Sequence, residues 1–136
     1  ISMTIKQLDH LNFSVSNLEE SVDWYQRLFG FEEVERGASM GVPYSIIKSG
    51  DARLCMYEHP DRRSAGSVPD GVHRAAHIGF RITDGDSWEA LMEAEEVLLD
   101  YGPTDYPHSK SWYVRDPSGY QIEVVLWKDD QIRFAS

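Results

Sequence analysis

Apolar and polar residues alternate in three segments of the chain, with the two-residue period of a strand that has one buried face. These segments are 8–15 (LDHLNFSV), 76–82 (AHIGFRI) and 120–126 (YQIEVVL). In each segment, one residue able to bind a metal lies opposite the main apolar row: His10, His77 and Glu123. The pattern therefore predicts three strands that turn these side chains away from the core.

Two helices are predicted where apolar residues recur at three- and four-residue spacing. The apolar faces comprise Leu18, Val22, Tyr25 and Phe29 in the first helix, and Trp88, Leu91, Met92 and Leu98 in the second. Ser16 and Glu19 have the spacing of a capping box, as do Asp86 and Glu89. Gly30 suits the end of the first helix.

The order strand, helix and three strands occurs twice. Further strands are predicted near 31–37, 43–49, 52–58, 99–104, 109–115 and 119–127. We therefore expect one domain over 1–136, with a first module at about 5–59 and a second at about 75–127. The segment 60–74 is polar and contains Gly and Pro residues that interrupt regular structure. It predicts either a solvated linker or a loop whose arginines, Arg62, Arg63 or Arg74, meet an anionic substrate. A tail, 128–136, follows the second module.

Charge and cysteine content narrow the classes of partner. The chain has 13 Lys and Arg against 23 Asp and Glu, a formal net charge of −10. This balance argues against nucleic acid, whose phosphates bind mainly Lys and Arg, and against anionic membrane surfaces. Cys55 is the single cysteine, and no apolar run reaches the roughly 18 residues of a membrane span. We expect a cytoplasmic protein with an inert, buried thiol.

Three stretches carry a resemblance to a known family: LDHLNFSVSNLEESVDWYQRLFGFEE, HIGFRI and WYVRDPSGYQIEVV. They resemble the vicinal oxygen chelate superfamily, which includes glyoxalase I, fosfomycin-resistance enzymes, extradiol dioxygenases and bleomycin-binding proteins. The resemblance covers the chain from about Ile5 to Trp127. It implies an α+β fold in which paired βαβββ modules form a cup-shaped, eight-stranded mixed sheet with the helices outside.

The resemblance also implies a divalent metal inside the cup, held by His10, His77 and Glu123. Two imidazoles and one carboxylate leave positions open for substrate oxygens or dioxygen, and they suit Fe(II) first, with Mn, Ni or Zn as alternatives. Four-ligand members of the family carry an extra Glu or Gln on the fourth strand. The repeat places Leu54, Cys55 or Met56 there, so a three-ligand site is expected.

Five residues are predicted to act on the substrate. Tyr113 lies ten residues before Glu123, where related enzymes use a tyrosine to contact bound substrate, and its phenol would stabilise an oxyanion. Asn12, Arg81 and Gln121 share a strand face with a ligand. Arg81 would either meet a substrate carboxylate or pair with an acid at the cup edge. Trp112 would line the pocket or pack in the core.

The expected function is that of a metal-dependent enzyme acting on a small molecule that chelates the metal through neighbouring oxygens. Ring-cleaving dioxygenation is the reaction we expect first, with thiol transfer, lyase or isomerase chemistry on the same site as alternatives. A different class, a metal-free protein that sequesters a drug-like or natural-product ligand, also fits the family. The resemblance further implies a homodimer, because the edges of such modules commonly pair.

Overall fold

The computed structural model describes residues 2–134 and divides into two compact units, Ile1–Arg62 and Arg63–Ser136. The division falls inside the polar segment 60–74. Each unit has its own sheet and its own helix. Across residues 2–134, no helix is long and apolar enough to cross a membrane.

The first unit runs in the order strand, helix and three strands. Its elements are β1 (Leu11–Val15), α1 (Leu18–Phe29), β2 (Glu32–Ser39), β3 (Val42–Ser49) and β4 (Ala52–Glu58). They form a four-stranded sheet in the order β1-β4-β3-β2, in which β1 pairs with β4 in parallel and the other pairs are antiparallel. β1 therefore lies at one end of this sheet.

The second unit repeats the same order. Its elements are β5 (Ile78–Ile82), α2 (Gly85–Ala94), β6 (Tyr101–Asp105), β7 (Ser109–Arg115) and β8 (Gln121–Trp127). The sheet order is β5-β8-β7-β6, with β5 parallel to β8. Short 3₁₀ turns lie at Ala65–Ser67, before the sheet, and at Lys128–Asp130, directly after β8.

The predicted α+β class and the doubled βαβββ order are confirmed. The eight strands form two four-stranded mixed sheets rather than one hydrogen-bonded sheet of eight. The cup that the resemblance implies stays a prediction.

One face of each sheet carries the apolar core and its helix. In the first unit, Tyr25 of α1 packs edge-on against Phe13 of β1, with ring centroids 6.3 Å apart. In the second unit, α2 begins over β7 and β8, where Gly85 lies against Leu126 and Trp112. Alternate strand residues point to opposite faces, so the face of each sheet away from the helix can carry functional side chains.

Both helices begin at a different cap from the one predicted. Asn17 caps α1 by accepting from the Glu20 amide at 2.9 Å, and Asp84 caps α2 by accepting from the Ser87 amide at 3.0 Å. The predicted capping boxes at Ser16 and Asp86 are therefore wrong. Asn and Asp are as effective as Ser at this position, so spacing alone did not identify the cap.

The predicted end of α1 is confirmed. Gly30 ends α1 in the left-handed region, with φ of 68°. In the β7–β8 turn the Gly119 amide donates to the Asp116 carbonyl at 3.0 Å, and the Asp116 carboxylate accepts from the amides of Ser118 and Tyr120. This turn sets the register that places β8 beside β7.

Candidate metal and substrate site

The open face of the second sheet brings together an imidazole and a carboxylate. His77 Nε2 lies 2.9 Å from Glu123 Oε1. His77 immediately precedes β5, and Glu123 lies on β8, opposite Gly79 in the parallel register. A Cβ built on Gly79 would meet nothing within 4 Å, so the space beside the carboxylate is open.

The second oxygen of Glu123 is also engaged. Ser111, which is fully buried on β7, donates its hydroxyl to Glu123 Oε2 at 2.7 Å. This hydrogen bond fixes the plane of the carboxylate and leaves Oε1 facing His77. The glutamate side chain is 17% exposed and the histidine side chain 40% exposed, so the pair is accessible to a small ligand.

Tyr113 provides a phenol at the same place. It lies directly across from Glu123 in the β7–β8 register and is 8% exposed. Its ring meets that of His77 edge-on, with centroids 6.0 Å apart, and its hydroxyl shares a 2.9 Å hydrogen bond with that of Tyr106. Burial, then the Tyr106 hydrogen bond and the nearby Glu123 charge, raise the pKa of Tyr113 well above its usual range. The phenol is therefore a protonated donor at neutral pH.

The strand register places four residues of the candidate site in one row across the second sheet. Gly79, Glu123, Tyr113 and Tyr101 occupy one row through β5, β8, β7 and β6. The Tyr101 and Tyr113 rings are 5.4 Å apart at a steep angle, so an aromatic surface extends from the carboxylate toward the outer strand. This surface suits a ligand with both polar and apolar parts.

Two of the predicted substrate contacts pair with acids in the structure. Arg81 Nη2 lies 2.7 Å from Asp130 Oδ1, so this arginine pairs with an acid, and its part in substrate binding stays a prediction. Gln121 donates to Asp100 Oδ2 at 2.8 Å, and Arg115 Nε donates to the same oxygen at 3.0 Å.

Trp112 lies on the opposite face from the site. It neighbours Tyr113 on β7, is 2% exposed, and lies beneath the start of α2 beside Gly85. Lys110 also stands 5.1 Å from the centre of its ring. The interpretation of Trp112 as a substrate contact is therefore corrected to core packing, because consecutive strand residues point to opposite faces.

The first unit carries the counterpart positions with different chemistry. His10 immediately precedes β1, as His77 precedes β5, and Asn12 is opposite Cys55 where the second unit has Gly79 opposite Glu123. Cys55 thus stands in place of the glutamate. Its thiol is 8% exposed, and burial raises its pKa. His10 Nδ1 instead lies 2.7 Å from Asp9.

The three predicted ligands are divided between the two units. Within residues 2–134, no three His, Cys, Asp or Glu side chains are close enough together to hold a metal ion. His77 and Glu123 meet in the second unit, whereas His10 belongs to the first. The three-ligand set stays a prediction.

Three functional candidates were missed by sequence reasoning. Ser111 had a usable signal, because it lies two residues before Tyr113 and so shares its face. Tyr101 and Tyr106 had none, because a bulge in β6 and the β6–β7 loop set their positions.

Comparison with known proteins places the chain in a family. Residues 7–124 match the model of the Glyoxalase/Bleomycin resistance protein/Dioxygenase superfamily. The chain belongs to this superfamily. Among solved structures, the superfamily domain from Frankia sp. aligns with a TM-score of 0.78 at 16% identity, covering 94% of this chain and 96% of that one.

Two further proteins are similar to this chain, one in sequence and one in fold. The metallothiol transferase FosB of Lysinibacillus sphaericus is 28% identical over 89% of this chain and 82% of its own length. The fosfomycin resistance protein FosX of Listeria monocytogenes, solved with Mn(II) and sulfate, has a TM-score of 0.67 at 18% identity, covering 92% of this chain and 95% of that one. Neither protein is named as a ring-cleaving dioxygenase or as an iron protein, so the expectations of ring cleavage and of Fe(II) find no support here.

Proposed function

We propose that this chain is a metal-dependent enzyme that adds a thiol to a small, oxygen-rich, anionic electrophile. The observation that carries the proposal is the His77–Glu123 pair at 2.9 Å beside the protonated phenol of Tyr113. The similarity to metallothiol transferases supports thiol addition over the other reactions of the superfamily.

The donor pair fits a divalent metal. Ligand atoms about 2.0–2.2 Å from one metal, at a right angle to each other, lie about 3 Å apart. His77 Nε2 and Glu123 Oε1 already have that separation, at 2.9 Å. His10 is proposed as the third ligand, and Mn(II) is the first metal to test because a structural relative was solved with it.

When bound, the metal would polarise a substrate oxygen and stabilise negative charge on it. The residues of the chain have separate tasks. Ser111 donates its hydroxyl to Glu123 Oε2, which leaves Glu123 Oε1 available for the metal. Tyr113 would donate its phenolic hydrogen to the oxygen on which charge develops, and the Tyr106 hydroxyl would then donate to the Tyr113 oxygen.

A homodimer is proposed as the working form. In the described sheets, β1 and β5 each lie at an end of their own four-stranded sheet. An end strand presents unpaired backbone groups that a strand from another copy can satisfy. His10 and His77 directly precede these two strands, so a parallel pairing of β1 from one copy with β5 of another would place His10 beside the His77–Glu123 pair.

The proposal is tested with fosfomycin, an epoxide that carries a phosphonate, together with Mn(II) and low-molecular-weight thiols. In the reaction, a sulfur–carbon bond forms, an epoxide carbon–oxygen bond breaks, and the freed oxygen takes a proton. Mass spectrometry should find an adduct whose mass is the sum of thiol and epoxide.

Two variants make the test specific. Glu123→Gln should abolish adduct formation, whereas Glu33→Gln, which alters a serine-bound glutamate of the first unit, should not. If no thiol yields an adduct with fosfomycin or with other small anionic epoxides, thiol transfer is refuted. Tight ligand binding that needs no metal would point instead to the sequestering class.

A further inference from the structure

We propose that Arg81 recognises the anionic group of the substrate, and that Asp130 is a built-in competitor which that group displaces. The proposal deepens the proposed function, on which it rests for the location of the substrate. It names the substrate class as one with a tetrahedral or planar oxyanion, such as phosphonate, sulfate or carboxylate.

Arg81 stands on the site face of the second sheet. It lies two residues beyond Gly79 on β5, and in register it is level with Val125 of β8 and Ser111 of β7. Two residues of a strand span about 7 Å. An arginine side chain can cover that distance, so its guanidinium can reach an anion bound beside Glu123.

The Arg81–Asp130 ion pair has the geometry and exposure of a pair that a bound anion can displace. Nη2 of Arg81 makes both contacts, to Asp130 Oδ1 at 2.7 Å and to the Asp130 carbonyl at 3.2 Å. This leaves unused the bidentate fork with which guanidinium binds carboxylate, sulfate or phosphonate most strongly. The arginine side chain is 40% exposed and the aspartate 66% exposed, and such pairs are weak in water.

The backbone around Asp130 holds the carboxylate in place. Lys128 follows β8 directly, and its ammonium donates to the Tyr106 and Pro107 carbonyls at 3.1 and 3.4 Å. Asp129 and Asp130 then both adopt positive φ, at 57° and 50°. Successive left-handed residues other than glycine are uncommon and occur where surrounding contacts enforce them, often at ligand-binding positions. The turn therefore presents Asp130 to Arg81 at a fixed place.

Arg115 is the other arginine in strands β5 to β8, and it is committed elsewhere. Its Nε donates to Asp100 at 3.0 Å and its Nη1 to the Gly119 carbonyl at 2.9 Å, so two acceptors on different elements hold it. Within residues 2–134, the hydrogen bonds of the Arg81 side chain go to the exposed Asp130 turn. Arg115 therefore serves as the matched control for Arg81.

The test is a sulfate titration of the metal-free protein, followed by NMR of the arginine Nε–H signals. The Arg81 signal is assigned from its loss in Arg81→Lys. Sulfate should shift that signal and leave the Arg115 signal in place. Arg81→Gln should weaken sulfate binding about tenfold or more, whereas Arg115→Gln should not change it. Dispersed amide spectra show that each variant is folded.

Removal of the Asp130 charge in Asp130→Asn should strengthen sulfate binding. Asparagine tolerates positive φ, so the turn is kept while the competing charge is lost. Sulfate affinity should rise about 1.4- to 5-fold, the range expected for loss of an exposed ion pair. Asp129→Asn removes the same charge one residue away, beside Arg133 at 3.9 Å, and should leave the affinity at its wild-type value.

Three outcomes overturn the proposal: unchanged or weaker sulfate binding in Asp130→Asn, equal gains in Asp129→Asn and Asp130→Asn, or unchanged binding in Arg81→Gln. Each can occur while Mn(II) still binds and the thiol adduct still forms, which leaves the proposed function standing. Conversely, the sulfate results can hold in a protein that binds no Mn(II). Failure of the anion proposal is thus distinguishable from failure of the metal site.

Discussion

Replacing Ser111 by alanine should weaken metal binding without removing any metal ligand. The hydroxyl of Ser111 donates to Glu123 Oε2 at 2.7 Å from a fully buried position. Its loss frees the carboxylate to rotate and leaves one oxygen without that donor. Losing an orienting hydrogen bond behind a metal ligand typically costs 10- to 100-fold in metal affinity. We expect a loss of that size for Mn(II), measured by electron paramagnetic resonance titration.

The same change should also lower stability. A hydrogen bond to a charged group contributes about 1.5–3 kcal/mol. For a chain of 136 residues, each kcal/mol shifts Tm by about 3–5 °C, so Tm should fall by about 5–15 °C. A loss of Mn(II) affinity that merely followed unfolding would be uninformative, so both quantities are measured on the same preparation, with Mn(II) titrated well below Tm.

Ser45 provides the matched control. It is fully buried on β3 of the first unit and donates its hydroxyl to Glu33 Oε2 at 2.5 Å, a serine–carboxylate pair of the same kind. Ser45→Ala should lower Tm comparably but leave Mn(II) affinity unchanged. Equal Mn(II) affinities for Ser111→Ala and wild type would refute the role given to Ser111. A loss in Ser45→Ala as large as in Ser111→Ala would refute its specificity.

Two further predictions concern the fold. Gly119→Ala should lower the free energy of unfolding by about 2–4 kcal/mol in urea titrations, because φ is 91° and a Cβ would overlap the Ser64 hydroxyl. Gly50→Ala should lower it by only about 1–2 kcal/mol, because φ is 56° and nothing lies within 4 Å of the added Cβ. Equal costs for the two variants would mean that 64–67 does not pack on the β7–β8 turn. Cys55 should react with a thiol reagent far more slowly in native than in urea-unfolded protein, because it is 8% exposed and burial raises the pKa of its thiol. Similar reaction rates in the two states would contradict the buried placement of Cys55.

The alternating pattern predicted correctly which face of the second sheet carries Glu123. Glu123 lies between Ile122 and Val124, both fully buried, so a two-residue period must place the glutamate on the opposite face. The same rule separates Trp112 from Tyr113. Period alone therefore excludes one of that adjacent pair from the site, and treating both as substrate contacts was the error.

Other parts of the site depend on pairing that sequence does not specify. The strand pattern predicted that Arg81 and Gln121 lie on the site face, but their partners, Asp130 and Asp100, lie outside the strands. Tyr106 reaches Tyr113 from a loop. Local patterns predict which face a residue occupies, whereas loop conformation and register determine what it meets. Register was also needed to identify Cys55 as the counterpart of Glu123.

Whether a divalent metal binds at Glu123 is measured by a Mn(II) titration of wild type, Glu123→Gln and Glu33→Gln, read by electron paramagnetic resonance. We expect stoichiometric Mn(II) binding by wild type and by Glu33→Gln, and its loss in Glu123→Gln, because Glu123 Oε1 and His77 Nε2 are the paired donors, 2.9 Å apart. Unchanged Mn(II) binding in folded Glu123→Gln would contradict the assignment of the metal to this face of the second sheet.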